Sequence, residues 1–184
     1  MLEKALIGHC SPTLAGLKSA NIVNYIFTTK SELMRELDLV HKMLNPKGVS
    51  VKLLRIRGDR ALIYVYRRAR VQDELKKTNV FNFLSEFGYE TDRIDDCIEK
   101  LASRITSQLD FPHEIGLFLG YPLEDVIGFI ENEGQNSRCV GCWKVYCNEC
   151  EARKLFAKFE KCRAVYCDLF ARGLRSVEQL TIAA

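Results

Sequence analysis

The sequence predicts one α+β domain, mostly helical, built around a small antiparallel sheet. Three observations predict it. Two strand-like runs, residues 49–57 and 61–67, are joined at Gly58-Asp59-Arg60 as a tight hairpin. Apolar stripes of helical period dominate the later chain. No Pro/Gly linker, internal repeat or low-complexity stretch divides the 184 residues, and 47% hydrophobic content supplies one core.

Each element has its own signal. Ser11-Pro12 reads as an N-cap with Pro at the first helical position, opening a short helix through Leu14, Leu17 and Ala20. Residues 22–27 read as a strand. Thr29-x-x-Glu32 is a capping box that opens a helix with Leu33, Leu37, Val40 and Leu44 on one stripe, ended by Asn45-Pro46-Lys47-Gly48. After the basic hairpin (about 49–67) come helices over about 79–87, ended by Gly88, and over 92–109, with Thr91 as cap and Ile94, Ile98, Leu101 and Ile105 inward. A pair of short helices follows between 110 and 133, with Asp110 as first cap, Gly120 between them and Pro122 opening the second. Leu117, Leu119, Val126, Ile127 and Ile130 are its expected core, and Glu124, Asp125, Glu131 and Glu133 its exposed acidic face. Trp143-Lys144-Val145-Tyr146 is strand-favouring and adds a strand at 143–146. The last helix runs about 149–172, ends at Gly173, and carries Phe156, Phe159, Cys162 and Tyr166 on its apolar stripe.

Bulk properties narrow the function classes. Net charge is +3 with pI near 8.4, too mild to imply nucleic acid by itself. The longest apolar runs fall short of a membrane span and no signal-peptide core follows Met1, so a cytosolic protein is expected. There, eight cysteines are reduced thiols or metal ligands, not a disulfide framework.

Four of them, Cys139, Cys142, Cys147 and Cys150, fall within twelve residues as two C-x-x-C pairs. The count suits zinc, an iron–sulfur centre or a reactive dithiol, although iron–sulfur spacing is usually denser than in this run. The spacing opposes zinc. An extended Cys142–Cys147 segment spans roughly 16 Å, whereas sulfurs on one zinc lie within about 4 Å of each other. Cys147 and Cys150 flank the start of the last helix, where the dipole favours thiolate. Cys10 sits before the expected helix at Ser11-Pro12 and draws the same argument, with His9 adjacent and His113 or His41 as a distant base. Phe111-Pro112-His113-Glu114-Ile115-Gly116 opens the two-helix corner. Its pattern approaches a DNA-binding helix-turn-helix, but its second helix is acidic, so duplex DNA is not the expected ligand. The hairpin region 51–70 is the reverse: Lys52, Arg55, Arg57, Arg60, Arg67, Arg68 and Arg70 stand against Asp59 alone. It suits RNA, a phosphate or an acidic protein, or is simply a solvated sheet face.

The strings HCSPTLAGLKSANIVNY, FPHEIGLFLGYPLEDVIGFI and GCWKVY resemble an uncharacterised bacterial family, domain-of-unknown-function family 3793, of anaerobic Gram-positive bacteria. The resemblance covers nearly the whole chain and carries no activity. It implies a role in iron or redox metabolism, beside flavodoxins and ferrous-iron transport. Cys147 and Cys150 are not part of the family pattern, which moves attention to His9, Cys10, Lys18, His113, Glu114, Tyr121, Trp143, Lys144 and Tyr146. The resulting expectation is an accessory protein that docks a partner, flavodoxin first among acidic candidates, or a small ligand. The catalytic candidates are Cys10, His113 and Glu114. The binding candidates are Lys18, Arg55, Arg57, Arg67, Tyr121, Trp143, Lys144 and Tyr146. The alternatives are a thiol-dependent enzyme using Cys10 or Cys147/Cys150, and a small zinc protein with a four-cysteine cluster.

Overall fold

A computed structural model describes residues 1–90, 92–107 and 111–183. The expected caps Thr91 and Asp110 lie outside the described residues. The fold is α+β, as the sequence predicts. It consists of a three-stranded antiparallel sheet, a separate two-stranded hairpin, and helices on both sides of the main sheet.

The main sheet has the order β1-β3-β2, with β1 Ala20–Ile26, β2 Val49–Arg57 and β3 Arg60–Arg67. β3 lies in the middle and explains the layering. Ala61, Ile63 and Val65 point to one face, Leu62, Tyr64 and Tyr66 to the other, and both sets enter apolar clusters. A strand with no solvent face reads as a continuous apolar run, which is how ALIYVY reads. The β2–β3 register shifts between Leu53 and Arg55, and the inserted Leu54 is buried on the Tyr64 face.

One face of the sheet is covered by α1 (Leu2–Leu14), α2 (Lys30–Leu44) and α9 (Val177–Leu180), with Tyr166 and Phe170 from the end of α8 (Glu149–Ala171). The other is covered by α3 (Arg68–Leu75), α4 (Thr78–Glu86), α5 (Ile94–Ser107), α6 (Ile115–Phe118) and α7 (Leu123–Glu131). A third cluster joins Trp143 and Val145 of the small hairpin, β4 (Cys139–Val140) and β5 (Lys144–Val145), to Ala152, Phe156 and Phe159 of α8.

The N-terminus departs from expectation. α1 already runs from Leu2, and Pro12 lies in its last turn, so Ser11-Pro12 ends this helix and opens none. The stripe Leu2, Leu6, Ile7, Cys10, Leu14 is fully buried and decides the matter. Pro12 lacks only the N–H that would reach Gly8, and the helix then closes in a Schellman arrangement. Leu17 N–H donates to Pro12 O at 2.8 Å and Gly16 N–H to Thr13 O at 3.1 Å. Gly16 has φ +70°, the left-handed geometry this motif demands. α3 and α9 carried no sequence signal that was read. α3 contains four charged residues in eight and only Val71 and Leu75 are buried.

Arg67 is a second correction. Read as part of a basic docking face, it is 3% exposed. Its Nε donates to Thr13 O at 2.7 Å, and Nη2 donates to Leu14 O at 2.6 Å and Ile182 O at 2.8 Å. One guanidinium therefore satisfies the end of α1 and the C-terminal segment together. Neighbouring cations are also engaged. Arg68 pairs bidentately with Asp95 at 2.5 and 2.7 Å, Lys52 pairs with Glu99, and Arg55 Nη1 donates to Ile105 O at 3.0 Å. Arg57 and Arg60 are exposed at the hairpin tip.

Arg67→Ala should lower the free energy of urea unfolding by about 3 kcal/mol, because charged hydrogen bonds are lost inside the protein. Arg57→Ala should change it by less than about 0.5 kcal/mol. Equal, small effects of both would place Arg67 outside the framework.

Candidate functional site

The site is built on one buried carboxylate. Asp125, in the first turn of α7, is 3% exposed. Oδ2 accepts the indole N–H of Trp143 at 2.7 Å. Oδ1 accepts the backbone N–H groups of Tyr146 at 2.8 Å and Cys147 at 3.0 Å, and the Cys147 thiol at 3.2 Å. Asp125 thus holds the β4–β5 hairpin onto α7. This corrects the expectation for Asp125 alone, since Glu124, Glu131 and Glu133 are exposed as expected. α7 is rotated so that Asp125, Val126 and Gly128 face inward, while Ile127 is half-buried and Ile130 is exposed. Leu117, Leu119 and Val126 are buried as expected. The overlooked signal was Gly128, three residues after Asp125 within an apolar helix. A Cβ there would stand 2.6 Å from the Tyr146 ring, so the glycine marks the close approach of hairpin to helix.

Trp143, held by Asp125, stacks on Tyr121 with centroids 4.8 Å apart and meets Phe156 edge-on at 4.6 Å. Two cavities flank this stack, and Tyr121 and Gly141 line both. The first, of about 310 Å³, is mainly apolar and includes His113, Phe129, Trp143 and Lys144. His113 stands 5.0 Å from the Phe129 ring, and Lys144 Nζ donates to Gly134 O at 2.7 Å. Glu114 points the opposite way. It is 1% exposed and accepts from Tyr89 Oη at 3.0 Å and Arg104 Nε at 2.5 Å. His113 and Glu114 are therefore not one constellation, because successive side chains diverge as the chain enters α6.

The second cavity, of about 470 Å³, gathers His9 from α1, Lys18 from the α1–β1 loop, Tyr121, Cys142 from the hairpin turn, and Glu160 and Arg163 from α8. Leu119, Phe156 and Phe159 add an apolar wall. Lys18 is its distinctive member. The Schellman turn at Gly16 directs it inward, where it is 6% exposed. Its ammonium donates to Ala20 O and stands 5.1 Å over the Tyr121 ring. Among the described residues no carboxylate forms an ion pair with it. Burial pulls its pKa down to about 8, against an opposing pull from the Cys142 and Cys10 thiols.

The cysteines separate by environment, and all eight are free thiols. Cys10 lies in the third turn of α1, fully buried, so the helix-start dipole invoked for it is absent. Burial pushes its thiol up to about 12. Cys139 is buried opposite Val145, Cys142 and Cys150 are exposed, and Cys147 is half-buried on Asp125. Burial first and the Asp125 hydrogen bond second raise Cys147 to about 11, the opposite of a dipole-activated thiol. The hairpin keeps 144–145 extended, and among the described residues no three His, Cys, Asp or Glu side chains converge as a metal cluster. Sequence reasoning missed Arg163 and the cleft position of Cys142. Arg163 sits on a helix that brings it to the α1–β1 loop only through the fold.

Asp125→Ala should destabilise the protein by about 2–4 kcal/mol, because three N–H donors lose their acceptor. It should also red-shift the emission of Trp143, the chain's single tryptophan. An unshifted spectrum would show that the hairpin holds without the carboxylate. Cys10 predicts a pH effect. Its folded pKa is raised from 9.0 to about 12, so its contribution to stability is full below pH 9 and is lost as pH rises toward 12. Lys18 acts oppositely, with stability rising between about 8 and 10.5. Cys10→Ala should therefore lose less stability than the parent between pH 9 and 10.5 in urea titrations. Parallel pH profiles would contradict the assignment.

No helix among the described residues is long and apolar enough to cross a membrane. No curated protein and no solved structure matches the chain. A family model described as protein of unknown function (DUF3793) matches residues 6–181, which takes in α1 from Leu6 onward, the main sheet, Asp125 and every residue lining the cleft. The chain belongs to the DUF3793 family.

Proposed function

We propose that the protein binds a small anionic ligand with an apolar or aromatic body in the cleft between α1, α8 and the small hairpin. One observation carries this reading: Lys18 is a buried ammonium with no ion-paired carboxylate among the described residues. A buried charge is retained where something offsets its desolvation. Here the carbonyl of Ala20 and the Tyr121 face offset part of it, and the remaining direction is the cleft. Arg163 adds a second cation, Glu160 the one carboxylate on the lining, and Tyr121, Phe156 and Phe159 supply flat apolar surface. This is the composition of a small-molecule site, concave and mostly apolar with a few placed charges. The free thiols, Cys142 among them, suit a reducing setting.

Docking of an acidic protein such as flavodoxin on the hairpin draws less support. Arg67 is internal and Arg68, Lys52 and Arg55 are engaged, leaving Arg57 and Arg60 at the hairpin tip and Arg70 on α3.

Phenyl sulfate, an aromatic anion that does not titrate, is a suitable probe. It should bind more tightly than sulfate and slow iodoacetamide labelling of Cys142 while leaving Cys150 unaffected. Its affinity should fall as pH rises through about 8, because Lys18 loses its proton there. Equal protection of both cysteines, or affinity unchanged by Arg163→Ala and by pH, would overturn the reading.

A further inference from the structure

Lys18 has a chemical property beyond its charge. Most lysines are solvated ammonium ions with no free electron pair near neutral pH. Lys18 differs in three respects visible in the structure. Its nitrogen is withdrawn from solvent, it lines a cavity large enough for a small molecule, and no ion-paired carboxylate among the described residues locks it as ammonium. Desolvation without a counterion is the environment that turns a lysine amine into a nucleophile. Lys144, which lines the neighbouring cavity, is half-exposed and donates to Gly134 O.

We infer that the anionic ligand of this cleft is an aldehyde or ketone, which Lys18 captures as an imine. This rests on the anion-site reading above and specifies the reacting group. The neutral Lys18 amine adds its electron pair to the carbonyl carbon, and the carbonyl π electrons move to oxygen. Proton transfer from nitrogen to that oxygen gives a carbinolamine. The hydroxyl then leaves as water, taking a further proton, as the nitrogen pair forms the C=N bond. The net change is amine plus carbonyl giving imine plus water, with no oxidant or reductant. Arg163 is the cleft cation left to hold the ligand's anionic group once the Lys18 nitrogen is neutral. His9, an imidazole on the lining of the same cleft, is a group suited to protonate the departing hydroxyl. Tyr121 lies under the Lys18 nitrogen, and Phe156 and Phe159 on the same lining offer surface for an aromatic ligand. The depressed pKa of about 8 agrees, since a larger share of Lys18 is neutral near pH 7 than of an exposed lysine.

The full-length protein is treated with 4-carboxybenzaldehyde and sodium cyanoborohydride at pH 7, and the secondary amines formed are located by peptide mapping. Phenyl sulfate binding is measured in parallel. Modification at Lys18 should run about tenfold or more ahead of the exposed lysines and of Lys144. Phenyl sulfate should suppress it, and Arg163→Ala, a surface change on α8, should slow it severalfold. Lys18→Arg should abolish it while still binding phenyl sulfate. Modification spread evenly over surface lysines, with phenyl sulfate still bound, would overturn the carbonyl inference and leave the anion site standing. Even modification with no phenyl sulfate binding would overturn both.

Discussion

The structure depends on a strand with no face for water. β3 is the centre of the sheet, and its side chains enter apolar clusters above and below. Helices must therefore cover both sides, and α1 and α2 take one side while α3 to α7 take the other. Burial of β3 also draws its last residue inside. Arg67 ends the strand and can be accommodated only by hydrogen-bonding its guanidinium, which it does with the carbonyls that α1 and the C-terminal segment leave open. Tyr64 repeats the pattern on the opposite face, donating its hydroxyl to Phe118 O at 2.5 Å and tying the sheet to α6.

Asp125 performs the same kind of task at the periphery. A hairpin of two short strands has no independent stability. Here it is held by Asp125 from one side and by Phe156 and Phe159 from the other. Trp143 is the common member, fixed by its N–H and packed against Tyr121 and Phe156. The hairpin turn then places Cys142 and Gly141 at the cleft that Lys18 and Arg163 enter from other elements. The cleft is thus assembled by tertiary contacts among α1, α8 and the hairpin, and no contiguous motif contains it.

That assembly explains which parts were legible in the sequence. The hairpin over 49–67, α2, α5 and α8 were readable because their periodicity agrees with the final packing, and at α2 the Thr29 cap agrees as well. Lys18, Tyr121 and Trp143 were singled out as candidates, and the first two line the same cleft. The start of α1 was misread because Ser11-Pro12 favours a helix opening locally, whereas burial of Leu2, Leu6 and Ile7 extends the helix through it. Arg67 and Asp125 were placed on the surface because charge patterning treats charged residues as solvated. Each is instead enclosed by backbone groups that need a donor or an acceptor, and a pattern of residue types does not record where open carbonyls and N–H groups will lie. The cysteine run drew attention by density, yet its members divide between core, hairpin turn and helix.

The central claim is that Lys18 holds a desolvated amine facing a ligand cleft with no carboxylate partner among the described residues. Its most direct test is a carbon-detected NMR titration of protein carrying 13C at the lysine ε position, with the Lys18 signal assigned by Lys18→Arg. The account predicts one resonance titrating near pH 8, well below the remaining lysines, and moving to higher pH when phenyl sulfate is bound. A Lys18 resonance that titrates with the surface lysines and ignores phenyl sulfate would contradict it.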